Sequence, residues 1–135
     1  MTLELHATPH EVMRTVEAFE GFAREHSVPE KIIGQLQLAL EECASNIVNH
    51  ALKRDAQQKF HATFGRAGSE LYIELRDKGP EFDPTAHVDR RREADEEAHG
   101  GWGVELVRRS VDEIRYQRKD GENVLRLIKR LVQAE

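Results

Sequence analysis

The spacing of apolar positions switches between two periods along this chain, and each switch marks a new element. Leu3 and Leu5 alternate with polar neighbours, which predicts a short strand over residues 2–7. Thr8-Pro9-His10-Glu11 has the pattern of a capping box with proline at the first helical position. Val12, Val16, Phe19 and Ala23 then recur at helical spacing, giving a first helix that ends near His26. Ser27-Val28-Pro29-Glu30 repeats the start signal, and a longer helix follows to about Lys53. Its apolar stripe is Ile33, Leu36, Leu40, Cys43, Ile47 and Ala51. After Asp55 the period becomes two. Phe60, Ala62 and Phe64 alternate, as do Leu71, Ile73 and Leu75, with Ala67-Gly68 as the hairpin turn between them. Residues 78–100 keep no period and hold Pro80, Pro84 and three consecutive arginines, Arg90 to Arg92. A loop this long inside a compact domain is usually functional or disordered. Val104, Leu106, Val107 and Val111 restore the helical period. Ile114 and Tyr116 read as a strand, Asp120-Gly121 as a tight turn, and residues 124–132 as a closing strand.

The order β-α-α-β-β-loop-α-β-β gives hairpins that must be covered on at least one face. The expected class is α+β: a two-layer α/β sandwich, its sheet mixed but mostly antiparallel, with the helices on one face. At 135 residues the chain is expected to form a single domain over residues 1–135. A composition 39% hydrophobic and 33% charged is ordinary for a soluble globular protein. The formal charge of −5 argues against nucleic acid as a partner, because phosphate contacts need a basic surface. No apolar run approaches the roughly 20 residues of a membrane helix, and the start MTLELHATPH lacks a signal-peptide core. The lone Cys43 excludes a disulfide framework and fits a reducing, cytoplasmic compartment.

Three groups of residues could carry chemistry. Glu42 and Asn46 lie about 40° apart on the long helix, and Asn49 within about 20° of Glu42, so one polar row borders the apolar stripe. A solvated helix face has the same pattern. Asp77 ends the strand Leu71-Tyr-Ile-Glu-Leu-Arg-Asp77, with Gly79 two residues on. A carboxylate there can accept from an exocyclic amine while the glycine lets a flat ring approach; a β-turn would also use both residues. Gly100-Gly101-Trp102-Gly103 precedes a helix and would present free N–H groups at its positive end, a cradle for phosphate or simply a flexible junction. Cys43 falls in the stripe and reads as core; His50 reads as a structural hydrogen-bonding residue.

Together these residues form an ordered set: Glu-x3-Asn on a helix, then Asp-x-Gly ending a strand, then Gly-x-Gly opening a helix. That order resembles the nucleotide site of the histidine-kinase-like ATPase superfamily, which includes gyrase and has a Bergerat-type ATP-binding fold. The segments Ala39-Leu-Glu-Glu42-Cys-Ala-Ser-Asn46-Ile-Val-Asn49-His-Ala51, Asp77-Lys-Gly-Pro-Glu-Phe-Asp-Pro84 and Gly101-Trp-Gly-Val-Glu-Leu-Val107 resemble its small stand-alone branch, the anti-sigma factor serine/threonine kinases.

The resemblance implies ATP as substrate and Mg²⁺ as cofactor. Asn46 would hold the Mg²⁺ through its amide oxygen, a hard ligand. Asp77 would bond the adenine amino group with Gly79 beside it, and Gly101, Trp102 and Gly103 would form the phosphate loop. The stretch at about 83–100 would be the ATP lid, with one of Arg90, Arg91 and Arg92 reaching the terminal phosphate. Glu42 would be the general base for a serine or threonine hydroxyl on a partner. The family's partners are a sigma factor and a STAS-domain antagonist, in a partner-switching system. Arg14 matches an arginine that touches the partner, and a homodimer is implied through the first strand and helix. Glu81 and Trp102 depart from the family pattern, Glu81 standing where a second glycine is common. They point to the alternative, an ATP-binding regulatory module that sequesters a partner without kinase activity.

Overall fold

The computed structural model describes residues 1–84 and 99–131. Thr8 caps α1 (Pro9–Glu25), its side chain accepting from the Glu11 N–H at 3.2 Å. The Glu11 carboxylate reaches back to the N–H of His6, so β1 (Thr2–His6) and α1 are tied at their junction. α2 (Glu30–Asn46) starts after Pro29 with no side-chain cap, because Ser27 takes a left-handed conformation (φ 58°) instead of capping. The long helix expected to Lys53 stops being α at Asn46. A π turn follows over Ile47–Ala51, where the Leu52 N–H reaches five residues back to the Ile47 carbonyl at 2.8 Å. Lys53 and Arg54, both at positive φ, then release the chain into β2 (Lys59–Ala67).

β2 turns through Gly68 (φ 63°) into β3 (Glu70–Asp77). α3 runs His99–Ser110, and β4 (Glu113–Lys119) and β5 (Glu122–Arg130) close the fold around a turn at Asp120-Gly121. The strands order β1-β2-β3-β5-β4, and all four ladders are antiparallel.

Alternation along the strands decides where the helices lie. Phe60, Ala62, Phe64, Leu71, Ile73, Leu75, Leu125 and Leu127 share one face and join one core with Val12, Phe19, Ile33, Leu36, Leu40 and Val107 from the three helices. Phe19 meets Phe64 edge-on, ring centroids 5.3 Å apart. The other face presents Thr63, Tyr72, Glu74 and Arg126, where the Arg126 guanidinium lies over the Tyr72 ring and pairs with Glu74 at 2.9 Å. Hence the expected two-layer architecture holds. Among the described residues no helix is long and apolar enough to cross a membrane.

Candidate functional site

Asp77, the last residue of β3, lies directly across the ladder from Asn123, near the start of β5. Both face the helix layer and are only 3% and 4% exposed. Buried polar groups must find partners, and these do. Oδ1 of Asp77 accepts from the Gly79 backbone N–H and from Asn123 Nδ2, each at 2.9 Å. Among the described residues Oδ2 accepts nothing, yet no buried side-chain oxygen is left sealed without a partner. Oδ2 therefore opens into the adjoining pocket, a narrow cleft walled by Cys43, Asn46, Ile47, Phe82, Tyr116 and Leu125. Burial raises the pKa of Asp77, against the lowering effects of Asn123, the Gly79 N–H and Arg118; Glu122 adds to the rise.

Gly79 is required by close approach. A Cβ at this position would stand 2.8 Å from the Ala51 carbonyl oxygen and 3.0 Å from Asp77 Oδ1. The loop leaving β3 thus rests on the π turn that ends the long helix. π turns are frequent at functional sites, and this one follows directly on Asn46.

Asn46 is 9% exposed and lines the same pocket as Asp77. Its amide makes no hydrogen bond to another described residue, so its oxygen is available toward the pocket. A buried hard oxygen donor with an unused lone pair fits a Mg²⁺ ligand by its chemistry. Glu42, one turn earlier on α2, is half-buried, and its charge helps burial push the Cys43 thiol up to about 12. Cys43 is core, as its place in the stripe implied.

Other expected residues fall elsewhere. Asn49 is exposed and accepts from Arg54 Nε at 2.7 Å, because the π turn carries it off the row that an unbroken α-helix would give. His50 is exposed and stacks on Phe82 at 6.3 Å between centroids. Glu81 is exposed. Arg14 is exposed on α1, paired with Glu11 at 3.1 Å. Gly101 and Gly103 do not precede the helix but lie within its opening turns, since α3 already starts at His99. The Trp102 side chain, Arg90 to Arg92 and all but the two ends of the lid lie outside the described residues.

Sequence reasoning missed Asn123. The sequence pattern starts the closing strand at Val124, two residues late, so a polar side chain at an inward position escapes it. Its pairing with Asp77 is a matter of register, which no local pattern reveals. The pattern marks Tyr116 only as strand and does not single out Arg118. Tyr116 donates its hydroxyl to Asn123 Oδ1, and Arg118 Nη1 donates to the Gly79 carbonyl at 2.7 Å.

The site's residues and the fold now bear on kinship. The family described as "Histidine kinase-like ATPase domain" matches residues 5–129. The chain belongs to that family. Among curated relatives, the serine/threonine-protein kinase BtrW of Bordetella bronchiseptica is 30% identical over 128 residues, covering 93% of this chain and 90% of the relative. The serine-protein kinase RsbW of Bacillus subtilis is 28% identical over 102 residues, 68% of this chain and 61% of the relative. Among solved structures, the RsbU and RsbW domains of a Mycobacterium tuberculosis protein superpose with a TM-score of 0.70 at 18% identity. That match covers 99% of this chain and 33% of that one. The SiaB–SiaC complex from Pseudomonas aeruginosa also gives 0.70, at 13% identity and with 95% and 88% covered. At these identities the structural likeness is one of fold.

Proposed function

We propose that this chain is a Mg-ATP-dependent serine/threonine protein kinase that doubles as an anti-sigma factor. It would phosphorylate a STAS-type antagonist protein and bind a sigma factor in the alternate state of a partner switch. In this reading it is a single cytoplasmic domain over residues 1–135, working as a homodimer. The observation that carries it is Asp77, a buried carboxylate with Oδ1 fixed by two donors and Oδ2 open to the pocket, opposite the Asn46 amide. The kinase names of BtrW and RsbW support the reaction class.

The residues divide the work. Asp77 Oδ2 accepts a hydrogen bond from the adenine amino group, and Gly79 leaves room for the ring beside it. Asn46 Oδ1 would hold Mg²⁺, which when bound neutralises phosphate charge. The N–H groups at the head of α3, around Gly101 to Gly103, face the phosphates with the positive end of that helix. Glu42 takes the proton of the incoming hydroxyl as its oxygen bonds to the γ-phosphorus. The bond from that phosphorus to the β–γ bridging oxygen breaks, and ADP leaves.

Glu42→Gln tests this assignment. The substitution removes the base but leaves Asp77, Gly79 and Asn46 in place. ATP affinity by calorimetry should stay within about twofold, and phosphate transfer to a serine-bearing antagonist should fall by roughly 10²–10⁴-fold. Unchanged transfer in the variant removes Glu42 from the mechanism. ATP binding with no transfer even in the unaltered protein selects the non-kinase sequestering module instead.

A further inference from the structure

Asn123 is 4% exposed, and its amide is fully engaged. Nδ2 donates to Asp77 Oδ1 and to the Pro80 carbonyl, both at 2.9 Å. Oδ1 accepts from the Phe82 backbone N–H at 3.1 Å and from the Tyr116 hydroxyl. A primary amide has two N–H donors and two lone pairs, so these four bonds use its whole capacity. They run in different directions. One grips the carboxylate that faces the pocket; two hold the chain just after Gly79, where Phe82 forms part of the pocket wall; the last ties in the edge strand β4. No hydroxyl side chain can make the same set, having a single donor.

We propose that Asn123 is a positioning residue that fixes Asp77 for base recognition and pins residues 80–82 to the same point. Purine discrimination and the placement of the segment leading out of β3 thus depend on one side chain. Without Asn123, Asp77 keeps only the Gly79 N–H on Oδ1, and the carboxylate can rotate about its last bond. Oδ2 would then no longer be presented to an exocyclic amine in one fixed orientation. The inference rests on the nucleotide reading above, and its test separates the two.

The test compares ATP with inosine triphosphate, which carries a 6-oxo group in place of the 6-amino group and so repels a carboxylate acceptor. Calorimetry with both nucleotides is run on the whole chain, on Asn123→Ala and on the milder Asn123→Ser, with melting curves to establish folding. The unaltered protein should prefer ATP. In both variants ATP affinity should drop about tenfold to a hundredfold, the worth of a hydrogen bond to a charged group, while inosine triphosphate affinity changes far less. In parallel, the Phe82 amide proton, held in the unaltered protein by Asn123 Oδ1 beside the Tyr116 hydroxyl, should exchange faster in the variants. An equal loss for both nucleotides, leaving their ratio intact, overturns the proposal and leaves Asn123 a structural residue. A folded variant with unchanged ATP affinity or unchanged Phe82 exchange overturns it as well. If the unaltered protein binds neither nucleotide, the nucleotide reading itself falls and this inference with it.

Discussion

Asp77 concentrates the physical tension of the site. Its burial opposes ionisation, while the Gly79 N–H, the Asn123 amide and nearby Arg118 favour it, and the balance leaves the pKa above the ordinary 3.8. A folded-state pKa above the unfolded one means that the native protein holds this proton more tightly. The stabilisation from protonation is full below the unfolded value and is lost as pH rises through the folded one. Asp77→Asn, neutral at every pH, avoids the penalty of an ionised buried group and keeps an oxygen for Gly79 and Asn123. Its melting temperature at pH 7 should equal or exceed that of the unaltered protein, while ATP affinity falls at least about tenfold. The unaltered protein should lose ATP affinity on acidification at a pH above that expected for a solvent-exposed aspartate, followed by calorimetry across pH 4–8. A variant that melts much lower would show that Asp77 holds the fold rather than the ligand.

Between elements, the decisive contact is the loop after β3 resting on the π turn. Gly79→Ala would press a methyl group within 2.8 Å of a backbone carbonyl that cannot move without disturbing the turn. The expected effect is about 1–3 kcal/mol of stability by denaturant unfolding, together with weakened ATP binding. Little of this contact could be read in advance. The strands and helices were legible because Phe60 to Phe64, Leu71 to Leu75 and the stripe from Ile33 to Ile47 keep strict periods. Glu42, Asn46, Asp77 and Gly79 were legible as spaced motifs, and the structure brings Asn46 and Asp77 to one pocket. The π turn was not. It inserts one residue into a helical period without any proline or glycine to announce it, so Ile47 and Ala51 still look like α stripe positions. The head of α3 was misplaced for the opposite reason: glycines suggest a loop, yet in a helix's first turn they leave N–H groups that would be unpaired anyway. Asn123 was hidden because its meaning lies in a ladder between strands far apart in sequence.

Across the whole molecule, the helices cover one face of the sheet and leave β1 and β4 as its edges. β4 carries Arg115, Arg118 and Lys119, charges of the kind that discourage strand pairing. β1 is short, with Leu3 and Leu5 turned toward the helix layer, and the exposed Met1, just before the strand, and Met13 on α1 lie at the proposed homodimer contact. Sedimentation equilibrium at micromolar concentration should give the mass of two chains; the mass of one chain would remove the dimer from the proposal. The −5 charge is spread over a surface of alternating acids and bases, where Glu74 pairs with Arg76 and Arg126, and Glu113 with Arg115 and Arg130. Such pairs are each worth little.

Cys43 gives the pocket a built-in clock. It is the chain's only thiol, it forms part of the wall that Asn46 and Asp77 share, and with its pKa at about 12 it is almost never a thiolate while enclosed. Alkylation must therefore wait for the wall to part and admit water and reagent together. The labelling rate, read by mass spectrometry, counts those openings without any engineered probe. Saturating ATP should slow the count, and a rate indifferent to ATP would mean that the nucleotide does not close this wall.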